Sequence, residues 1–186
     1  FIFFSEKNLF SIDLFLGNAK TGKIIRKLST KTKDSHTDDI DGFESAGTWS
    51  PDSKKYAFIS YSQGRKKLAI ADIMDNEIVD EFFIKDVPSF DNLDWSPDGN
   101  SILMTGLVNG QSDLYTVDLK TKNVNQLTLD YFAQIQAQWS PDGSKIAYVS
   151  DNFNSDSNHP SHHMSILIMD VKTKQVEKLP LFADSN

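Results

Sequence analysis

The chain has 186 residues, 39% of them hydrophobic and 24% charged, which supports a packed core and excludes a disordered or collagen-like chain. Its 19 Lys and Arg against 26 Asp and Glu give a net charge of −7, which repels phosphate backbones and anionic lipid, so no nucleic-acid partner is expected. There is no cysteine for a disulfide, thiolate metal site or nucleophile, and no apolar run nears the roughly 20 residues of a membrane helix, so no direct membrane insertion is expected.

The chain opens on Phe1 rather than methionine, and we expect its natural N-terminus to be missing or processed. Phe1 to Phe4 read as the end of one strand. Asn8-Leu9-Phe10-Ser11-Ile12-Asp13-Leu14 lines up with Asp113-Leu114-Tyr115-Thr116-Val117-Asp118-Leu119 and reads as the next. An enlarged turn at Gly17 to Thr21 leads to a third strand, Lys23 to Leu28, and a polar connection follows from Lys31 to Asp41.

A repeat then begins. Trp49-Ser50-Pro51-Asp52 returns as Trp95-Ser96-Pro97-Asp98 and Trp139-Ser140-Pro141-Asp142, with the tryptophans 46 and then 44 residues apart. Each motif precedes an alternating apolar strand: Lys55 to Ser60, Ser101 to Thr105, Lys145 to Ser150. A second strand closes on an aspartate, at Asp72, Asp118 and Asp170, where we expect the carboxylate to brace the following turn. A last strand ends in Leu or Phe (Ile78–Phe83, Val124–Leu129, Gln175–Leu179). Each repeat thus reads as four strands, A to D, in up-and-down order. The prolines fit the second position of a tight A–B turn, and Gly99 and Gly143 supply its left-handed residue. Ser53 replaces that glycine in the first copy, so strain or a different turn is expected there, at about 1 kcal/mol.

Four strands repeated every 44 to 46 residues describe blades of an all-β propeller of antiparallel sheets, and such blades must stack to bury their faces. The tryptophans are expected in the seams between blades. We read 1–186 as one incomplete propeller domain, with blades at about 1–30 (partial), 44–83, 90–129 and 135–181. The first copy lacks strand A, so its B strand should border an open edge through which the fragment self-associates.

Trp-Ser-Pro-Asp-Gly, followed by Ile146-Ala147-Tyr148-Val149-Ser150-Asp151 and by the Asp170 and Thr173 turn, resembles the TolB-type, WD-like propeller repeats of bacterial exported proteins. The resemblance spans nearly the whole chain. It implies a larger, typically six-bladed parent, a periplasmic or outer-membrane-associated location, and either of two roles. One is a non-catalytic scaffold that binds peptide or protein partners. The other is the substrate-gating propeller of a larger peptidase resembling the prolyl oligopeptidases, with the catalytic triad in another domain.

The residues themselves favour no catalysis. Gly-x-Ser-x-Gly, His-Glu-x-x-His, the phosphate-binding loop and the Rossmann glycines are all absent. Between Asp151 and His163 the chain gathers Asp151, Asp156, His159, His162 and His163. His159 and His163 stand four apart, but the Asn, Ser and Pro around them disfavour a helix, and no Glu follows His159. We assign no metal and no cofactor.

Spacing selects a face. Trp to the strand C aspartate is 23 residues in two copies and 31 in the third, so eight extra residues fall in that B–C loop. Asp13 to Trp49 is 36 residues, an excess assigned to the C–D turn and the D–A connection. In an up-and-down blade, B–C loops share one end with D–A connections. Both insertions therefore land opposite the Ser-Pro-Asp turns, where Asp38, Asp39, Asp41, Asp151, Asp156, His159, His162 and His163 form an acidic, histidine-bearing rim expected to take a cationic peptide or protein segment.

Overall fold

The computed structural model describes residues 2–8, 11–28, 39–40, 47–151 and 164–179, with backbone alone for 2–8, 11–13 and 39–40. These residues form strands and no helix, as an all-β propeller arc requires. The first sheet has β1 (Ile2–Asn8), β2 (Ser11–Gly17) and β3 (Ile24–Lys27) in that order. The second has β4 (Asp39–Ile40) and β5 (Thr48–Trp49), both paired to β6 (Lys55–Ser62), then β7 (Arg65–Asp72) and β8 (Glu77–Phe82). The third runs β9 (Ser89–Trp95), β10 (Ser101–Val108), β11 (Gln111–Asp118), β12 (Val124–Gln126). The fourth runs β13 (Gln134–Trp139), β14 (Lys145–Ser150), β15 (Ser165–Asp170), β16 (Val176–Lys178). All pairings are antiparallel, and among the described residues the first and fourth sheets make no contact, so the arc is open.

Strand alternation explains how the sheets stack. In β6, Tyr56 and Phe58 face one way and pack with Leu14, Leu16 and Leu28 of the first sheet. Ala57 and Ile59 face the other way and pack with Phe90, Trp95, Ile102 and Met104 of the third. Leu103 and Leu114 meet Ile146, Tyr148 and Leu167 in the next seam. Trp49, Trp95 and Trp139 each pack in the seam between their own sheet and the preceding one. Each such large side chain contributes about 1.5–3 kcal/mol through burial. The seams are also hydrogen-bonded: Trp95 N–H donates to Thr48 Oγ1 at 3.1 Å and Trp139 N–H to Asp94 Oδ2 at 2.7 Å. Burial pushes the Asp94 carboxyl above its ordinary range, and the bond from Trp139 opposes that shift.

The turns follow the residues that demand them. In each A–B turn the serine hydroxyl donates to the aspartate at 2.6–2.7 Å and accepts the N–H that starts strand B at 2.9 Å. These hydrogen bonds hold Asp52, Asp98 and Asp142 below the usual carboxylate range, Asp142 at about 2. Ser53 makes the same turn as Gly99 and Gly143, at φ 59° against 78° and 71°, so the cost is strain and not a change of turn. Ser53→Gly is expected to raise stability by about 1 kcal/mol, read as a higher urea midpoint at unchanged slope. The C–D turns are braced as expected: Asp118 accepts from Lys120 and Thr121, Asp170 from Lys172 and Thr173, and Asp72 from Met74 and Asp75.

Two spacing-based assignments are corrected. The first-sheet counterpart of Asp118 is Asn18, not Asp13: Asn18 Oδ1 accepts from Lys20 N–H at 2.9 Å and Thr21 N–H at 3.0 Å. Asp13 therefore matches Asp113, and the C–D turn is not enlarged. Apolar alternation was equally good in both alignments; only the turn chemistry separates them. Second, Asp39 and Ile40 are not part of the D–A connection but pair with Tyr61 and Ser60 as β4. Part of the excess length therefore lies between the pairings of β4 and β5 with β6. The inner strands β9 and β13 carry single-residue bulges at the same place, with Asn92 at φ 49° and Gln136 at φ 54°.

Candidate functional site

The end of the sheets opposite the Ser-Pro-Asp turns is built from B–C hairpins and D–A connections. In the second and third sheets the hairpins are two-residue turns, Gln63-Gly64 and Asn109-Gly110, with both φ positive. In the fourth, β14 ends at Ser150 and β15 resumes at Ser165, so the long insertion lies in this B–C loop.

Of the eight rim residues, Asp38, Asp41, Asp156, His159, His162 and His163 lie outside the described residues, and Asp39 is placed by its backbone in β4. Asp151 is half-buried, and its Oδ1 accepts the Ala133 N–H at 2.8 Å, tying the long loop to the D–A connection beside it. Among the described residues no three His, Asp or Glu side chains are arranged to hold a metal ion.

That D–A connection, 127–133, is what the sequence reading missed. It is held from several sides. Thr128 Oγ1 accepts the Leu114 N–H at 2.9 Å and donates to Asp113 at 3.0 Å. Asp130 Oδ1 accepts from the Phe132 N–H at 2.9 Å and from Gln134 Nε2 at 2.8 Å. Gln111 Nε2 donates to the Phe132 carbonyl at 2.7 Å. Burial pushes the Asp113 carboxyl up, the Thr128 bond opposes this, and the nearby Asp130 charge adds to it. From this fixed loop Leu129 is 84% exposed and Tyr131 98%. The sequence reading ended strand D at Leu129, whereas β12 ends at Gln126, which leaves Leu129, Tyr131 and Phe132 as three large apolar residues in a connection.

Elsewhere at this end, Phe83 lies 4.2 Å from the Arg65 guanidinium and 5.1 Å from Lys67 Nζ. The inner strands add a concavity of about 330 Å³ lined by Asn92, Leu93, Gln136, Ala137 and Gln138. Its polar side chains can hydrogen-bond a ligand, but it offers neither a nucleophile nor an acid–base pair.

Residues 41–179 match the model of the TolB beta propeller domain, most of the chain. The chain belongs to that family. Its sequence is 30% identical over 86 residues to the Tol-Pal system protein TolB of Ruthia magnifica subsp. Calyptogena magnifica, a match covering 44% of this chain and 19% of that protein. The fold is similar to that of TolB from Acinetobacter baumannii, with a TM-score of 0.68 at 20% identity over 96% of this chain and 40% of the other. A putative TolB from Agrobacterium tumefaciens gives the same score and identity over 94% and 58%. A prolyl endopeptidase shares the fold at TM-score 0.59 and 16% identity, covering 95% of this chain and 28% of that one. The chain thus spans about a fifth of the curated TolB and about half of the TolB structures it matches.

Proposed function

We propose that this TolB-family propeller segment is a non-catalytic scaffold that docks protein or peptide partners on the face formed by its B–C loops and D–A connections, in the periplasm or at the outer membrane of a bacterium. The observation that carries the reading is the placement of the long insertion: β14 and β15 are joined by 151–164 where the neighbouring hairpins need two residues, and Asp151 ties its base to the adjoining connection. A long loop on a rigid sheet frame is where binding concentrates. The rim of Asp38, Asp39, Asp41, Asp151, Asp156, His159, His162 and His163 suits a cationic segment. The free side of β1, whose backbone groups find no second strand among the described residues, is proposed as the edge through which the fragment self-associates.

The test is site-specific photo-crosslinking in the cell envelope. A probe at Asp39 or Asp151 is expected to trap an envelope protein, and a probe at Asp98, on the opposite face, to trap none. Converting Asp38, Asp39 and Asp156 to Asn should lower the yield and flatten its salt dependence. Crosslinks from Asp98 alone, or a yield indifferent to the three substitutions, would overturn the assignment.

A further inference from the structure

Among the described residues the exposed large apolar side chains include Met74 at 71%, on a C–D turn, and Ile24 and Ile25 at 59% and 55%, on the edge strand β3. The connection between the third and fourth sheets gathers others. Leu129 is 84% exposed, Tyr131 98% and Phe132 37%, and Leu107, at the end of β10 on the side facing the fourth sheet, is 48% exposed. Leu107 pairs across the hairpin with Ser112, whose hydroxyl donates to the Gln134 carbonyl at 2.8 Å, so it borders the same connection. A flexible loop would bury such side chains against the sheet edge. This loop is prevented from doing so by the bonds from Gln111 to Phe132, from Gln134 to Asp130 and from Ala133 to Asp151. Rigid display of a tyrosine and a leucine lowers the ordering cost of association, and tyrosine is among the residues that anchor interfaces.

We infer that Leu129 and Tyr131, flanked by Leu107 and Phe132, are the anchors for a protein segment that presents an apolar side chain flanked by lysine or arginine. The charge follows from the surroundings: Asp130 sits within the loop and Asp151 at its base, in a chain of net charge −7. Carboxylates around an apolar centre favour a cationic partner and disfavour an acidic one. This rests on the proposed docking face and deepens it, adding an apolar anchor beside the acidic rim.

The experiment is an NMR titration of the 186-residue chain with three capped peptides: one alternating lysine and leucine, one alternating glutamate and leucine, and one of lysine alone. The lysine–leucine peptide is expected to shift the amides of 129–133 and 107–112 with sub-millimolar affinity. Leu129→Ser with Tyr131→Ser should weaken it at least tenfold, with a melting temperature within 2 °C of the parent because both side chains are solvent-exposed. Equal binding of the lysine peptide, equal binding of the glutamate–leucine peptide, shifts centred elsewhere, or insertion of the loop into zwitterionic vesicles would each overturn the inference. Asn substitutions at Asp38, Asp39 and Asp156 that abolish envelope crosslinking while this titration is unchanged would separate the rim from the anchors. Loss of this titration with the crosslinks intact would remove the anchors alone.

Discussion

Gly47→Ala is expected to cost about 3 kcal/mol or more of unfolding free energy, while Gly99→Ala, at nearly the same backbone angle, costs about 1–2 kcal/mol. Both glycines are left-handed, with φ of 75° and 78°. A side chain there carries the strain common to any L residue. They differ in what a Cβ would meet. At Gly99 there is nothing within 4 Å, whereas at Gly47 the Cβ would stand 2.5 Å from the Ala57 carbonyl oxygen and 2.7 Å from the Tyr56 hydroxyl. The first contact is backbone inside the β5–β6 pairing, so it cannot rotate away. Relief must come from opening the strand pair or displacing Tyr56, which packs edge-on against Trp49 with ring centroids 5.3 Å apart. Urea unfolding of the two variants measures the difference. Equal losses would show that the close approach at Gly47 relaxes at no cost.

The comparison also shows what a single sequence carries. The repeat, its antiparallel strands and its braced turns were legible because each rests on local chemistry: proline at the second turn position, a left-handed residue after the aspartate, and apolar alternation in strands B and C. The register of the first sheet was not legible. Asp13 and Asn18 both offer a turn-bracing oxygen, and only the closure of the turn selects Asn18. The pairing of Asp39 and Ile40 as β4 was likewise hidden, because two residues are too few to show an apolar alternation of their own. Of the candidate rim, the spacing argument found the long B–C loop but overlooked 127–133, whose exposed side chains read as ordinary core residues. Neither Lys67 nor Glu81 stood out, since a charge on a strand is usually solvated. Burial of such a pair arises from which sheet stacks on that face.

That pair sets the other large effect. Lys67 Nζ lies 3.5 Å from Glu81 Oε2, and the two side chains are only 11% and 10% exposed. Ser60 donates to the other carboxylate oxygen at 2.9 Å. Ser60 and Lys67 are cross-strand partners, on the same side of the second sheet as Tyr56 and Phe58, which face the first sheet. Glu81→Leu removes the counter-charge, leaves the ammonium buried and strips Ser60 of its acceptor. Breaking one side of a buried ion pair costs about 3–5 kcal/mol, and the lower end applies here because Lys67 keeps the Phe83 ring at 5.1 Å. Combining Glu81→Leu with Lys67→Met should recover most of the loss, to within about 2 kcal/mol of the parent, the remainder being the buried Ser60 hydroxyl left without its acceptor. A double-mutant cycle in urea reads the coupling directly. Additive losses in the double variant would show instead that solvent screens the charges, and that the second sheet is held at this point by Ser60 and the apolar seam alone.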